Sequence, residues 1–423
     1  MRHRQLGQHA DLTHKHNLNS GRHGWLRLTP AYSVKLVSRI LRRYEAPARF
    51  LDPFSGTGTT VLAAAEQGHM ATGVDVNPFL VWLGNAKLAS YTKADVEHAR
   101  EAISDICTAK GTSPAEPPPI HNIERWWHPE ILAVLCDIKG RIEALKTDVA
   151  RVSDLLLIAF CQTVIKVSNA AFNHQSMSFG GTKAELAHAP GQCFDCFRKN
   201  AEAVLESLLP DLEGQCEVVL GDSRQAPPGG KYDVLITSPP YPNRMSYIRE
   251  LRPYMYWLGY IREAREAGEL DWNAIGGTWG IATSRLSDWK PDPAVTLPSR
   301  LSEVVENIAR SNGTNGRLLA AYVHKYFFDM WEHFKTAPHS LKRGGKAIYI
   351  IGNSTFYGVT VPAERIYADM LEAAGFMNVR VEPIRKRNSK KELFEYAVEA
   401  DFAAPSPVGT VAAIPHVRAP TLF

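Results

Sequence analysis

Two short segments carry residue types that could bring an aromatic amine to a reactive ligand. The first, residues 237–241, reads Thr-Ser-Pro-Pro-Tyr and follows an apolar segment, 231–236, that predicts a buried strand. Prolines have fixed φ and no N–H, so this turn is rigid and presents carbonyl acceptors. The Ser238 hydroxyl and the Pro239 carbonyl could accept both amine hydrogens while the Tyr241 ring stacks on the aromatic ring. The predicted chemistry is activation of an amine whose lone pair is delocalised.

The second segment, residues 52–60, reads Asp-Pro-Phe-Ser-Gly-Thr-Gly-Thr-Thr. It lies between a predicted strand end at 48–51 and a predicted helix at 61–65. Gly56 and Gly58 remove side chains where the chain must turn sharply and where a ligand must approach the main chain. The threonines of the segment are expected to cap the helix. A strand, a glycine turn and a helix follow one another here.

An acidic residue follows the glycine turn at an informative distance. Asp75 ends the predicted strand 71–76 and lies about 20 residues beyond the turn, the offset of the carboxylate that binds ribose hydroxyls in Rossmann-like sites. The GxGxxG pattern that a pyrophosphate requires is absent. A nucleoside ligand with a ribose and no phosphate fits this segment better than a dinucleotide. A glycine turn after a strand is common, so the inference depends on the downstream 237–241 segment.

Together these segments resemble the site-specific DNA amino-methyltransferases, which use S-adenosylmethionine and modify cytosine N4 or adenine N6. The resemblance rests on residues 52–60, on Gly-Val-Asp-Val-Asn-Pro at 73–78 and on residues 237–241. It implies that the first block surrounds the methionine moiety, the second binds the ribose and the third is the catalytic loop. Serine at position 238 is commoner among cytosine-N4 enzymes and aspartate among adenine-N6 enzymes. Cytosine N4 is therefore favoured, with adenine N6 as the alternative.

Other relatives with a Pro-Pro-Tyr loop modify guanine N2 in RNA or glutamine in protein, but these usually have aspartate or asparagine before the prolines. The resemblance also implies that Asp222, in the turn 221–224, reaches the adenine amine of the cofactor. It implies that residues 22–30 and the helix after them help to wrap its methionine end. The implied catalytic residues are Ser238, Pro239, Pro240 and Tyr241. The implied cofactor-binding residues are Asp52, Phe54, Ser55, Gly56, Thr57, Gly58, Thr59, Thr60, Asp75, Asn77 and Asp222.

The implied fold is α/β: a Rossmann-like methyltransferase with a mostly parallel, seven-stranded sheet and a helical insertion domain. Towards the C-terminus, residues 344–354 predict a turn and a buried strand, followed by a helix at about 362–374 and strands near 379–384 and 396–400. The predicted organisation is a flexible arm (1–21), a catalytic domain in three pieces (22–92, 215–260 and 322–402), a helical insertion (93–214), a second insertion (261–321) and a tail (403–423).

Double-stranded DNA is the expected partner, and three regions are candidates to contact it. Asn169, Asn173, His174 and Gln175 lie in the first insertion, and amide side chains pair well with base edges. The second insertion follows the catalytic loop directly. The basic segment 385–391 could meet phosphates. Each has a plainer explanation as a solvated loop, and the sequence does not choose between the two insertions. A restriction endonuclease acting on the same site is the second partner that the resemblance implies.

Composition predicts a cytoplasmic enzyme in a reducing compartment. The 423 residues include only six cysteines, and no apolar segment approaches the length of a membrane span. The net charge of +4 is small, so attraction to DNA must come from local patches. No metal is expected, because the Cys-x-x-Cys at 193–196 has no second ligand pair at zinc spacing. The oligomeric state and the recognition sequence do not follow from the sequence.

Overall fold

The computed structural model describes most of the chain. The described residues are 7, 9–26, 31–108, 111, 114–145, 150–171, 178–179, 190–208, 211–227, 229–277, 281–311, 313–387 and 392–402. Several parts of the predictions lie outside these ranges: residues 27–30, Asn173, His174, Gln175, residues 388–391 of the basic segment, and the tail 403–423.

The strands are β1 (Arg49–Asp52), β2 (Met70–Asp75), β3 (Ala170–Ala171), β4 (Ser178–Phe179), β5 (Cys216–Leu220), β6 (Tyr232–Thr237), β7 (Leu341–Gly352), β8 (Ser354–Phe356), β9 (Val359–Val361), β10 (Met377–Lys386) and β11 (Phe394–Asp401). The α-helices are α1 (His14–Asn17), α2 (Val34–Leu41), α3 (Thr59–Ala65), α4 (Pro78–Leu88), α5 (Lys93–Thr108), α6 (Pro129–Glu143), α7 (Ala150–Lys166), α8 (Pro190–Glu206), α9 (Tyr247–Trp257), α10 (Ala264–Asn273), α11 (Ile281–Asp288), α12 (Ser299–Ser311), α13 (Gly313–Ser340) and α14 (Ala363–Ala373).

Seven strands form one central sheet in the order β10-β11-β7-β6-β1-β2-β5. The pairs β5–β2, β2–β1, β1–β6 and β6–β7 are parallel, and β11 runs antiparallel to both β7 and β10. The predicted Rossmann-like, mostly parallel seven-stranded sheet is therefore confirmed. The strand order reverses direction between β1 and β6, which is where ligands bind in open α/β sheets.

The sheet is covered on both faces, as its apolar strands require. Phe50, Val234 and Ile348 point into a core with α2 and α3. Leu51 and Leu235, one residue along their strands, point to the opposite core with α13 and α14. This period-two alternation follows from the pleat, and it buries both sides of each central strand.

The range predicted as a helical insertion, 93–214, contains α5 to α8 and the short β3–β4 pair in its described part. Its apolar side chains share one core with α4 and α9, which belong to the sheet-bearing part of the chain. The aromatic rings of Trp127 and Phe160 meet Trp257 of α9 with centroid distances of 5.6 and 5.2 Å. The helices of the insertion are thus packed directly against the helix that follows the catalytic loop.

Two predicted boundaries differ from the structure. The described part of the predicted flexible arm is folded, because the Asn17 side chain donates to the Tyr32 carbonyl and accepts from the Val34 amide, both at 2.9 Å. The boundary predicted between 321 and 322 falls inside α13, a single helix of 28 residues. Most of this helix packs on the sheet, so the second insertion is continuous with the core instead of separate from it.

Candidate active site

Asp52 connects the two predicted motifs at the point where the strand order reverses. It ends β1, it is only 1% exposed, and its Oδ1 accepts a 2.6 Å hydrogen bond from the Thr237 hydroxyl at the end of β6. The other carboxylate oxygen accepts from Thr60 at the start of α3. Burial raises the pKa of Asp52 to about 6, although the hydrogen bonds from the two threonines oppose that rise. The carboxylate therefore joins the glycine loop to the catalytic loop through buried hydrogen bonds.

The glycine loop is held in shape by its own backbone and by Asp75. Gly56 and Gly58 have φ of 52° and 76°, in the left-handed region that disfavours other residues. The Gly56 amide donates to Asp75 Oδ2 at 2.9 Å, and the Ser55 amide donates to the Val74 carbonyl at 2.9 Å. These two hydrogen bonds hold the glycine loop against the end of β2. The sequence placed both glycines at the turns that need them.

Both motifs line one open cavity with an empty volume of about 1080 Å³, including its mouth. From the predicted sites, the lining residues are Phe54, Ser55, Gly56, Thr57, Thr59, Asp75, Asn77, Asp222, Ser238 and Pro240. The size is that of a pocket for a nucleoside-sized ligand. The prediction that the glycine turn and the Ser-Pro-Pro-Tyr turn converge on a shared cleft is confirmed.

Polar groups in this cavity match a ligand that carries a ribose and a charged amino-acid end. The Ser55 hydroxyl is buried at the cavity wall and has no hydrogen-bond partner within the described part of the chain. An added Cβ at Gly73 would lie 2.4 Å from this hydroxyl, so the missing side chain there makes room for it. Asp75 presents a carboxylate that can accept from ribose hydroxyls. These residues fit S-adenosylmethionine without requiring a phosphate site.

Asp75 and Asp222 reach the cavity in different electrostatic states. Burial raises the pKa of Asp75 to about 7, while hydrogen bonds from the Asn77 and Gly56 amides oppose that rise. Burial also acts to raise the pKa of Asp222, but hydrogen bonds from Arg224 outweigh it and hold that pKa below its usual value. Arg224 donates to both carboxylate oxygens of Asp222 at 2.7 to 3.0 Å. Asp222 is thus a fixed anion, whereas Asp75 can change charge near neutral pH.

Three residues of the predicted cofactor set lie behind the cavity wall instead of on it: Asp52, Gly58 and Thr60. Asp52 and Thr60 belong to the buried connection described above, in which the Asp52 carboxylate accepts hydrogen bonds from the Thr60 and Thr237 hydroxyls. The expectation that threonines cap α3 is also corrected. Gly58 occupies the N-cap position in the left-handed conformation, and no side chain caps the helix.

The catalytic loop is held by tyrosines from distant helices. Tyr326 of α13 donates to the Pro240 carbonyl at 2.7 Å, and its hydroxyl also meets that of Tyr367 of α14 at 2.5 Å. The Arg244 amide, at a left-handed residue with φ of 60°, donates to the Tyr322 hydroxyl at 3.0 Å. The Pro240 carbonyl thus already accepts a hydrogen bond within the protein, whereas the sequence predicts free carbonyl acceptors at this turn.

Tyr241 lies on the other side of the catalytic loop. It borders a second, polar cavity that also contacts Asn243, Arg385 and Glu395. Ala31, Tyr32 and Tyr247 line both cavities, so the two adjoin. Pro239 lines neither cavity. The loop therefore separates a larger cavity that contacts Ser238 from a smaller one that contacts Tyr241.

Sequence reasoning missed the outer wall of the larger cavity. Helix α9 contributes Tyr247 and Glu250, and the end of α10 contributes Asp271 and the segment 273–275. Part of the second insertion thus lines the larger cavity, whereas the sequence predicts only DNA recognition for it. No local motif marks these residues, because their role depends on how two helices fold back over the sheet.

A buried lysine behind the glycine loop also escaped the sequence analysis. Lys87 of α4 is 1% exposed, and its ammonium donates to the Thr57 carbonyl at 2.9 Å. Burial lowers the pKa of Lys87 to about 7. A buried cation is costly unless it is hydrogen-bonded, so this contact fixes the loop carbonyl from behind. A lysine in a helix carries no sequence signal for such a role.

In the described ranges, no group of three or more His, Cys, Asp or Glu side chains is placed to hold a metal ion. Cys193 and Cys196, the Cys-x-x-Cys pair, lie on α8, where Cys193 is buried in the insertion core. No helix in the described part of the chain is long and apolar enough to cross a membrane.

The sheet order and the shared cavity define a Rossmann-like methyltransferase, and comparison with known proteins agrees. The model of the D12 class N6 adenine-specific DNA methyltransferases matches residues 34–110. The chain is 22% identical to the Type II methyltransferase M.BsoBI of Geobacillus stearothermophilus, over 91% of this chain and 85% of that protein. It is 22% identical to M.AvaI of Nostoc sp., over 89% and 84% of the two chains. It is 21% identical to M.MvaI of Kocuria varians, over 86% and 81%.

Among solved structures, the rRNA methyltransferase aviRa from Streptomyces viridochromogenes covers 88% of this chain and 86% of its own, at 11% identity and a TM-score of 0.27. That likeness is too low to support an argument. The matches to these three relatives cover 86 to 91% of the chain, and the range of the family model contains the glycine loop at residues 52–60. The family model and the curated relatives thus support the predicted resemblance to the DNA amino-methyltransferases.

Proposed function

We propose that this protein transfers a methyl group to the N4 amine of a cytosine flipped out of double-stranded DNA. A base inside the duplex cannot reach a buried loop, so the target must leave the stack before the reaction. When bound, S-adenosylmethionine supplies an electrophilic methyl group on a sulfonium. The residues of the chain supply position, hydrogen bonds and exclusion of water.

The proposed roles follow from where each group lies. Asp75 and Asn77 bind the ribose, Ser55 and the glycine loop hold the amino-acid end, and Asp222 accepts from the adenine amine. Ser238, which lines the larger cavity, accepts one hydrogen of the cytosine amine. The Pro239 carbonyl accepts the other, a role that comes from the family resemblance, because Pro239 lines neither cavity. Together they draw the nitrogen towards tetrahedral geometry and direct its lone pair at the donor. Proton loss can follow the transfer, so the proposal needs no strong base.

One observation carries this proposal: the catalytic loop stands between two adjoining cavities. The larger contacts Ser238 and the glycine loop, and the smaller contacts the ring of Tyr241. Such an arrangement supports a donor on one side of the loop and an acceptor base on the other. The fixed Pro240 carbonyl and the Asp52–Thr237 bond keep the loop in place between them.

Adenine N6 is the alternative, and the family model favours it by name. Its match, however, ends at residue 110 and therefore contains the cofactor loop but not residues 237–241. The target base meets the catalytic loop, where serine at position 238 is the residue commoner in cytosine-N4 enzymes. The choice of base should therefore be tested directly.

The test is to express the chain in a host whose DNA carries no base methylation and to digest that DNA to nucleosides for mass analysis. We expect N4-methylcytosine in cells with the wild-type chain and none in cells with Ser238→Ala. N6-methyladenine alone would reject the cytosine assignment and keep the family. A methyl label in RNA or protein but not in DNA would reject the proposal as a whole.

We also propose that the protein protects host DNA from a restriction endonuclease with the same recognition sequence. The relatives are Type II methyltransferases, which supports this context. The first insertion (93–214), the second insertion (261–321) and the basic segment 385–391 are proposed to contact DNA. Single-molecule sequencing of DNA from the expressing host should show one methylated sequence motif. Methylation spread over unrelated motifs would contradict protection of a defined site.

A further inference from the structure

The hydroxyl of Tyr241 is held by a buried carboxylate from the C-terminal hairpin. It donates to Glu395 Oε1 at 2.8 Å, and Glu395 lies on β11 with only 3% of its surface exposed. Arg385, on the neighbouring β10, donates to both oxygens of the same carboxylate at 2.8 and 3.0 Å. A two-bond arginine–carboxylate pair has a defined geometry. The carboxylate is therefore a fixed acceptor for the tyrosine.

The ring of Tyr241 is fixed on one face as well as at its hydroxyl. The Arg387 guanidinium carbon lies 4.8 Å from the ring centroid, and Arg387 Nη1 donates to the Asn353 carbonyl at 2.9 Å. An added Cβ at Gly352 would lie 2.1 Å from Arg387 Nη1 and 2.8 Å from Tyr241 Cε2. The absent side chain at the end of β7 makes room for both groups. One ring face is thus covered by a cation.

The tyrosine nevertheless remains accessible from the smaller cavity. That cavity also contacts Asn243 and Tyr247, and it adjoins the larger cavity where Ser238 lies. Burial, followed by the negative charge of Glu395, raises the pKa of Tyr241 well above its usual value. The phenol therefore stays protonated and keeps donating to the carboxylate. A ring held at its hydroxyl and on one face has little freedom to turn.

We propose that Glu395, itself held by Arg385, is a positioning residue that sets the ring of Tyr241 at the angle needed to stack on the target base. This inference rests on the proposed function, because it assumes that a flipped base enters the smaller cavity. Stacking stabilises the flipped base more when the ring is ordered beforehand, since ordering it on binding costs conformational entropy. Glu395 acts through the hydroxyl of Tyr241 and does not touch the base.

A double-mutant cycle tests this link. The variants are Tyr241→Phe, which removes the hydroxyl and keeps the ring, Glu395→Ala, and the two together. Each is assayed for kcat, for KM towards DNA and for cofactor Kd, with wild type as reference. We expect each single change to lower kcat about tenfold, the effect of one hydrogen bond to a charged group, and to leave cofactor Kd unchanged. The double variant should be no slower than the slower single variant.

A matched control exists on the same strand. Glu399 of β11 also pairs with an arginine, accepting from Arg43 at 2.9 and 3.1 Å, but it lies away from the catalytic loop. Glu399→Ala should leave kcat near the wild-type value. If it lowers kcat as much as Glu395→Ala does, loss of any ion pair on β11 explains the effect and the inference is overturned.

The inference would also be overturned if the fall in kcat of the double variant equalled the product of the falls in the two single variants. Glu395 would then act independently of the Tyr241 hydroxyl. Should Glu395→Ala fail to fold, the same cycle with Glu395→Leu applies, since leucine keeps most of the side-chain volume and removes both acceptor oxygens. Fluorescence of a base analogue at the target position reports stacking separately from turnover. Failure of the proposed function is distinguishable, because wild-type protein would then transfer no methyl group to DNA at all.

Discussion

The two sides of the active cleft are built in different ways. On the proposed cofactor side, the contacts described above join residues at most 30 positions apart: Asp75 with Asn77, Gly56 with Asp75, and Lys87 with Thr57. On the catalytic-loop side, the supports come from far along the chain, as Tyr326 does for Pro240. Short-range contacts form wherever the strand–turn–helix unit forms. Long-range contacts exist only once α13 and the C-terminal hairpin have packed on the sheet.

This contrast predicts that substitutions on the two sides change different kinetic quantities. Changes on the cofactor side should alter binding, because the loop and its carboxylates bear directly on the ligand. Changes on the catalytic side should alter kcat, because the loop is preorganised by groups that do not touch the ligand in the larger cavity. Asp52 is the exception, since its carboxylate joins both sides.

The largest expected effect is from Ser238→Ala. This change removes the hydroxyl that accepts an amine hydrogen, and we expect kcat to fall by at least about 10²-fold, as when one preorganised polar group is removed from other active sites. Cofactor Kd and the melting temperature should stay close to wild type. Calorimetric titration with the cofactor and a methyl-transfer assay measure the two quantities. A parallel loss of cofactor binding would place Ser238 on the cofactor side of the comparison.

Asp75→Ala should have the opposite effect to Ser238→Ala: cofactor binding should weaken while kcat changes little. Loss of a carboxylate that accepts from ribose hydroxyls and from the Gly56 amide should weaken cofactor binding roughly 10- to 100-fold. The rate at saturating cofactor should change much less. Asp233, a carboxylate at the opposite end of the sheet that accepts from the Arg49 amide at 2.8 Å, provides the control. Unchanged cofactor affinity in Asp75→Ala would remove Asp75 from the ribose role.

Tyr326→Phe tests whether long-range support matters for turnover. It removes the donor to the Pro240 carbonyl and keeps the buried ring, so the expected loss is about 1 kcal/mol, or roughly fivefold in kcat. Tyr367→Phe is the matched control, because it removes the partner hydroxyl but leaves the bond to Pro240. We expect a smaller fall in kcat for Tyr367→Phe. Equal effects would mean that packing of the tyrosine pair matters more than the bond to the loop.

The last expected effect is on the pH dependence of stability, not on turnover. The pKa of Asp75 is raised by burial from 3.8 to about 7, so the folded state binds this proton more tightly than the unfolded state. The stability contributed by that proton is complete below pH 3.8 and is lost as the pH rises through about 7. Asp75→Asn should therefore gain stability relative to wild type across this range. Denaturant unfolding of both proteins without cofactor, at several pH values, measures the difference. A constant difference would show that Asp75 titrates normally.

Much of the fold was predictable because its signals are local. The apolar strands, the glycines at positive φ and the helix bounds follow from nearby residues, and the late elements at β7, α14, β10 and β11 lie where the sequence predicts them. The boundary at 321 was wrong, because no local signal tells whether a long amphipathic helix belongs to an insertion or to the core.

The sequence by itself determined which residues are candidates for the proposed chemistry: the glycine loop, Asp75, Asp222 and Ser238 are marked by residue type and spacing, and they line one cavity. Only the tertiary structure decided what holds them. The supporting groups have no sequence signal and reach the site only when the chain folds. They are Lys87, Tyr326, Glu395 and the outer wall from α9 and α10. The physical reason is that a turn or a ligand contact constrains its neighbours in sequence. A buried partner is constrained only by its position in the folded protein, so it can come from any part of the chain.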